Sequence, residues 1–244
     1  LSRRSLWYAT LPMFPTLIAQ GAYVAARAQR LPEAAGARRG VVAGGAERLR
    51  LSVIGESTAA GVGVADQRDG FAVQLARTLA EGGRREVHWQ VAGRNGATVR
   101  DMHRVLVREL QEPLDLVVVL AGVNDTVRLT SRRRFARDIR TLHEALRVRG
   151  ARQVVFSAVP PMEQFPLLPQ PLRSILGLRS SLLDAALIDQ LATLRGASHA
   201  PLDPLSAAEN MASDGFHPNA RGYALWAQLL AEALADLGSS ARLR

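Results

Sequence analysis

Val117-Val118-Val119-Leu120 is an unbroken apolar run inside the segment LDLVVVLA at 114–121. A half-buried strand alternates apolar and polar residues. A short continuous run rich in valine is instead expected of a strand covered on both faces. Other β-rich runs stand at 50–55 (RLSVIG), 87–92 (VHWQVA), 152–159 (RQVVFSAV) and, weakly, 197–202. Helical stripes separate them. Phe71, Leu75 and Leu79 recur four apart before Gly82-Gly83, and Val99, Met102, Leu106 and Leu110 form a second stripe. Phe135, Ile139, Leu142 and Leu146 form a third, ending at Gly150, and Tyr223, Trp226, Leu230 and Leu234 the last. Each stripe is read as core. Strand–helix alternation predicts an α/β domain, a parallel sheet with helices on both faces.

The N-terminal region differs. Ser5 to Ala26 is uncharged and mostly apolar, flanked by Arg3-Arg4 and Arg27, and its 22 residues are long enough to span a bilayer. Trp7, Tyr8 and Tyr23 lie near its ends, where interfacial aromatics sit. Pro12 and Pro15 interrupt it, and Arg27, Arg30, Arg38 and Arg39 follow it. Residues 1–30 are therefore expected to form an apolar helix: a membrane anchor, a signal-like segment, or an amphipathic helix packed on the domain or in the interface. The expected location is membrane-associated or exported in a bacterium, with the cytoplasm as the alternative. Residues 31–48 are rich in Gly and Ala and read as a linker, which leaves 49–244 as the main domain. The sequence opens on Leu1 rather than Met, so residues upstream are expected.

Charge enters at this point. The net charge is +9, and every one of the 31 basic residues is Arg. Residues 1–50 hold eight Arg and two Glu, or +6, and the remaining 23 Arg and 20 acids give only +3. The excess belongs to the N-terminal region, and no nucleic-acid motif accompanies it, so nucleic acid is not the expected partner. The arginines at 132, 133, 134, 137, 140, 147 and 149 read as a solvated helix face that also suits anionic headgroups. There is no cysteine, which excludes disulfides, thiol nucleophiles and thiolate metal sites.

A parallel sheet presents its functional loops at the carboxyl ends of its strands. The first such loop carries Ser57, the second Gly93-Arg-Asn-Gly-Ala-Thr98, the third Gly122-Val-Asn-Asp-Thr126 and the last Asp214-Gly-Phe-His-Pro218. A serine hydroxyl is a weak nucleophile until a base takes its proton. An imidazole, with an ordinary pKa of about 6.5, suits that base. Asp214 stands three residues before His217, a spacing that lets the carboxylate reach Nδ1 and fix the tautomer. A tetrahedral oxyanion needs preorganised donors. The N–H groups of Ser57 and Gly96 and the side-chain amide of Asn124 are the candidates. His88, His103, His143 and His199 have no acid partner of this kind and read as structural or surface residues, and Asp125 reads as a structural acceptor.

The four blocks, Gly55-Glu-Ser57, Gly96, Gly122-Val-Asn124-Asp125 and Asp214-Gly-Phe-His217-Pro218, resemble the SGNH (GDSL-type) hydrolase family over roughly residues 50–238. The resemblance implies Ser57 as nucleophile, His217 and Asp214 as the rest of a triad, and Gly96 and Asn124 as oxyanion donors. It implies a flavodoxin-like three-layer sandwich whose five parallel strands run in the order 2-1-3-4-5. It also implies that no metal or organic cofactor is needed. One departure is plain: the family's GDS is Gly55-Glu56-Ser57 here, one methylene longer. Gly96 fits the glycine block better than Gly93, which with Asn95 is left to shape the turn.

The segment from Pro160 to Leu178 carries Met162, Phe165, Leu167 and Leu168. They are expected either to wall an acyl pocket or to pack on the helix that follows. The reading is a serine esterase for short- to medium-chain acyl esters, with a small-molecule ester as partner. The alternatives are a glycan O-acetyl esterase, a lysophospholipase or a thioesterase on the same triad, or a non-catalytic membrane-tethered binding module. The sequence does not fix the oligomeric state.

Overall fold

The computed structural model describes residues 7, 10–83, 85–202 and 208–241. Its five strands are β1 (Arg39–Gly55), β2 (Arg85–Gly93), β3 (Leu116–Leu120), β4 (Gln153–Ser157) and β5 (Ala197–Ala200). All pair in parallel, in the order β2-β1-β3-β4-β5. The α-helices are α1 (Phe14–Arg27), α2 (Phe71–Gly83), α3 (Val99–Arg104), α4 (Val123–Val127), α5 (Arg132–Val148), α6 (Leu172–Leu191) and α7 (Ala220–Ala241).

The apolar run at β3 is explained by the two cores on either side of it. Val117 and Val119 face α3, α5 and α6, packing in one cluster with Met102, Phe135, Ile139 and Leu183. Leu116, Val118 and Leu120 face α2 and α7, in a cluster with Phe71, Leu75, Tyr223 and Trp226. Side chains alternate across a strand, so a strand covered twice has no polar position left. The three-layer sandwich is thus the observed architecture.

Two expectations need correction, and a third is narrowed to one of its alternatives. Residues 39–48 are not linker: β1 begins at Arg39 and pairs with β2 along much of this stretch. Small residues permit the approach, since a Cβ at Gly44 would stand 1.8 Å from the Arg85 carbonyl oxygen. The Val99–Leu110 stripe is not one helix. It breaks at Val105 and continues as a 3₁₀ turn, Leu106–Glu109, and this tighter winding carries Leu106, Val107 and Leu110 all into the core.

The third concerns the apolar N-terminal region, where Arg3, Arg4 and Tyr8 lie outside the described residues. Among the described residues no helix is long and apolar enough to cross a membrane. The helix α1 has 14 residues, about 21 Å at about 1.5 Å each, against a hydrocarbon core of about 30 Å. It packs instead on the domain. Leu17 is buried among Val123, Met162, Leu168, Leu172, Ile175 and Leu176, with Trp7, Phe14 and Val24 partly buried against them.

Candidate active site

Ser57 sits two residues past the end of β1, in a turn bound on several sides. The Glu56 N–H donates to the Leu120 carbonyl at 3.1 Å, and the Ala59 and Ala60 N–H groups donate to the Glu56 carbonyl at 3.0 and 3.1 Å. The Val62 N–H returns to the Ser57 carbonyl at 3.0 Å. From α7, the buried Tyr223 hydroxyl donates to the Val62 carbonyl at 2.6 Å. Burial keeps that phenol protonated by raising its pKa.

The loop before α7 brings His217 to this turn. Its Nε2 lies 2.9 Å from Ser57 Oγ, and its Nδ1 lies 2.6 Å from Asp214 Oδ2. The other carboxylate oxygen, Oδ1, accepts from the N–H groups of Phe216 at 2.9 Å and His217 at 3.0 Å. Burial opposes ionisation of Asp214, yet the His217 side chain and these two N–H groups outweigh it and hold the carboxyl below its ordinary pKa of 3.8. An ionised Asp214 fixes the proton of His217 on Nδ1 and leaves Nε2 to accept from Ser57. The structure therefore brings Ser57, His217 and Asp214 into one hydrogen-bonded chain.

Behind this chain lies Glu56, which is only 2% exposed. Its Oε1 accepts from Val123 N–H at 3.2 Å, and its Oε2 accepts from Asn124 N–H at 3.1 Å and Asn124 Nδ2 at 2.7 Å. Burial raises its pKa from 4.5 to about 7, with Asp125 adding to the rise and the Val123 and Asn124 donors opposing it. The longer side chain thus clamps the start of α4. The Asn124 amide also donates to the Ala97 carbonyl at 3.1 Å, so both of its protons are engaged. Two acceptors on that side fix which end of the amide is nitrogen.

Gly96 has φ +78°, which favours glycine, and its carbonyl accepts from Arg128 at 2.8 Å. The N–H groups of Ser57 and Gly96 donate to no acceptor among the described residues. Gly93 serves another purpose: a Cβ there would stand 2.5 Å from the Ala60 nitrogen. Asp125 is buried and accepts from Val99 N–H at 3.0 Å, tying α3 to α4.

Two cavities border His217. A small one of about 50 Å³ is lined by Ser57, Glu56, Phe165, Phe216 and Trp226 among others. A larger cleft of about 440 Å³ lies against α1 and includes Leu167 and Leu168 in its walls. Phe165 and Phe216, edge to face at 4.9 Å, stand together beside His217. Met162 lines neither cavity. It is fully buried in the cluster with Leu17 and Leu172, because the Met162–Gln164 turn packs on α6.

Two of the other histidines have acid partners of their own, in structural roles. His199 Nε2 lies 3.0 Å from Asp184 Oδ1, and His88 Nε2 lies 2.6 Å from Glu86 Oε1. Asp184 Oδ1 also accepts from the Val159 N–H at 2.9 Å, so this pair fastens α6 to the ends of β4 and β5. The sequence reasoning missed the clamp made by Glu56 and the cleft wall made by α1. The second had a signal in the sequence. Phe14, Leu17, Gly21, Val24 and Ala28 recur three or four apart, one face of a helix.

Comparison with known proteins identifies the family. The chain is 31% identical over 199 residues to a GDSL-like esterase, Rv1075c, of Mycobacterium tuberculosis, covering 77% of this chain and 62% of that protein. The chain thus spans less than two thirds of its relative's length. Among solved structures, the psychrotrophic esterase EstA of Pseudoalteromonas sp. superposes with a TM-score of 0.60 at 15% identity, over 78% of this chain and 98% of that one. The lipase/acylhydrolase of Enterococcus faecalis gives 0.53 at 20% identity, over 76% and 95%. These two establish likeness of fold. Residues 53–225, which run from β1 through the DxxHP block into α7, match the GDSL-like Lipase/Acylhydrolase family, and the chain belongs to it.

Proposed function

We propose that this protein is a serine esterase that hydrolyses carboxylic acyl esters of short to medium chain through an acyl-enzyme. The observation that carries the reading is the continuous hydrogen-bonded chain from Ser57 Oγ through His217 to Asp214. Ser57 Oγ attacks the ester carbonyl as its proton passes to His217 Nε2. Asp214 stabilises the imidazolium that results. The oxyanion is met by the uncommitted N–H groups of Ser57 and Gly96. Asn124 adds a third donor by exchanging its 3.1 Å bond to Ala97 for one to the oxyanion, while Glu56 keeps hold of the amide. His217 then returns the proton to the leaving alkoxide, and water, activated by the same nitrogen, releases the acid and restores Ser57.

Two further facts support the reading. The mycobacterial relative is described as an esterase. The EstA neighbour was solved inhibited by monoethylphosphonate, a phosphonyl mimic of the tetrahedral intermediate. The test is hydrolysis of p-nitrophenyl esters of graded chain length by the protein and its Ser57→Ala variant. The reading expects release of nitrophenol that depends on Ser57. Equal, slow release by both proteins at every length overturns it.

A further inference from the structure

The larger cleft has a volume of about 440 Å³, within the range of about 300–1,000 Å³ that holds small organic ligands. The smaller cavity, which Ser57 lines, has about one ninth of that volume, about 50 Å³. Most of the room for a long ester chain therefore lies in the cleft.

We propose that the cleft binds the acyl chain of the ester and that α1 is its outer wall, so that α1 sets which chain lengths are accepted. The proposal rests on the esterase reading and names where its substrate lies. The cleft walls are aliphatic and aromatic, and Gln29, Asp214 and His217 are the polar exceptions. Ser57 lines the smaller cavity, and the cleft meets that cavity at Phe216 and His217, which line both. The alcohol parts of natural esters commonly carry hydroxyls or charges, for which these walls offer few partners. A hydrocarbon chain asks for none.

Exposed apolar surface points to an occupant. Ile18, Val127 and Leu129 line the cleft yet stand exposed, apolar surface that a chain would cover. Leu129 is also the one non-glycine residue with positive φ among the described residues, at +54°. It is the residue that closes α4: its N–H donates to the Thr126 carbonyl at 3.2 Å and the Thr130 N–H to the Asp125 carbonyl at 2.9 Å, a left-handed helix end that holds Leu129 in the cleft wall. On α1, a Cβ added at Gly21 would meet nothing within 4 Å, so the wall is open there and a larger side chain fits without displacing its neighbours.

Gly21→Leu is therefore a filling substitution that also favours the helix. The experiment measures kcat/KM on p-nitrophenyl esters from acetyl to dodecanoyl, for the protein and for Gly21→Leu. In the unsubstituted protein kcat/KM should rise beyond butyryl by up to about fourfold per buried methylene. Gly21→Leu should lower the decanoyl value by about tenfold or more and leave the acetyl value within about twofold, which also shows that the variant is folded. A second series, acetate esters of lengthening alcohols, separates the two halves of the substrate. A profile indifferent to acyl length in both proteins overturns the proposal, as does a Gly21→Leu effect confined to the alcohol series. Failure of the esterase reading shows separately, as acetate hydrolysis unchanged in Ser57→Ala. Calorimetric binding of octanoate then decides the cleft: binding lost in Gly21→Leu supports it, and equal or absent binding removes it.

Discussion

The two sides of this site are held by different forces. On the Ser57 side, position is set by directional hydrogen bonds. The turn is tied to Leu120 and Tyr223, His217 is tied to Asp214, and the start of α4 is tied to Glu56. On the α1 side, contact is mostly apolar: Leu17, Leu168, Leu172, Ile175 and Leu176, with Trp7 lying under the Arg179 guanidinium at 4.8 Å. Gln20 adds bonds to Gln170 and Leu172 at 2.9 and 3.2 Å. Hydrogen bonds weaken steeply as distance and angle depart from ideal, whereas apolar burial is nearly indifferent to direction. The first side is built to hold atoms in place for chemistry. The second, on the proposal made above, accepts a chain whose shape varies. Damage to the first should lower the rate for every ester, and damage to the second should change the ranking of esters.

The largest expected effect tests the directional side. Ser57→Ala or His217→Ala should lower kcat by roughly 10⁴-fold or more, equally for acetyl and octanoyl esters. A loss confined to long esters would merge the two sides into one. Next comes Asn124→Ala, which should lower kcat by about 10²–10³-fold with little change in KM. An unchanged rate would leave Asn124 as a strut for Glu56 and Ala97 and remove it from the oxyanion site.

Glu56 gives a test by pH. Its carboxyl is raised from 4.5 to about 7, so the folded protein keeps this proton over a window where the unfolded chain has released it. Its contribution is fully present below about 4.5 and is lost as pH rises through about 7, a change of about 3 kcal/mol. Asp214 acts the other way, but its depressed pKa confines its effect to pH below 3.8. The stability of the protein relative to Glu56→Gln, from urea unfolding, should therefore decline between pH 5 and pH 8. Parallel curves for the two proteins would mean that the clamp does not titrate there.

On the apolar side, Leu17→Ala removes the most buried contact of α1 and should cost about 2–3 kcal/mol of its docking. Because α1 sits outside the sheet, the readout is a raised KM for decanoyl esters with acetyl hydrolysis retained. Equal loss for both esters would mean that α1 supports the reacting groups and not only the cleft.

The sequence made the directional side far easier to see than the apolar one, and the reason is physical. Chemistry restricts residue type, so Ser57, Asn124, Asp214 and His217 stood out once β3 had located the sheet. An apolar helix face is the same string whether it meets lipid or protein. What separates the two for α1 is its 14-residue length and the docking of Leu17, and only the folded chain shows either. The helix α6, expected after the Pro160–Leu178 segment, showed no stripe for a related reason. Its first turns pack on the α1 cluster and its later turns on the sheet, so no single stripe runs along it. The strand at 39–48 had no pattern because its pairing depends on smallness rather than apolarity. Asp184 and His199 lie far apart in sequence and meet only through the sheet.

The smallest prediction asks how redundant the directional side is. Tyr223→Phe keeps the ring in its cluster with Phe71 and Trp226 and removes only the hydroxyl. The Val62 carbonyl then loses its 2.6 Å donor in a buried place. An unpaired buried acceptor costs about 1–3 kcal/mol, and the loss should appear as a lower urea midpoint with an unchanged slope. The effect on kcat should be slight, because the Ala59, Ala60 and Val62 N–H groups still close the turn around Ser57. A large fall in kcat would show that this one bond from α7 sets the Ser57–His217 distance. The directional side would then be a single chain of dependent contacts, as sensitive at Tyr223 as at the serine itself.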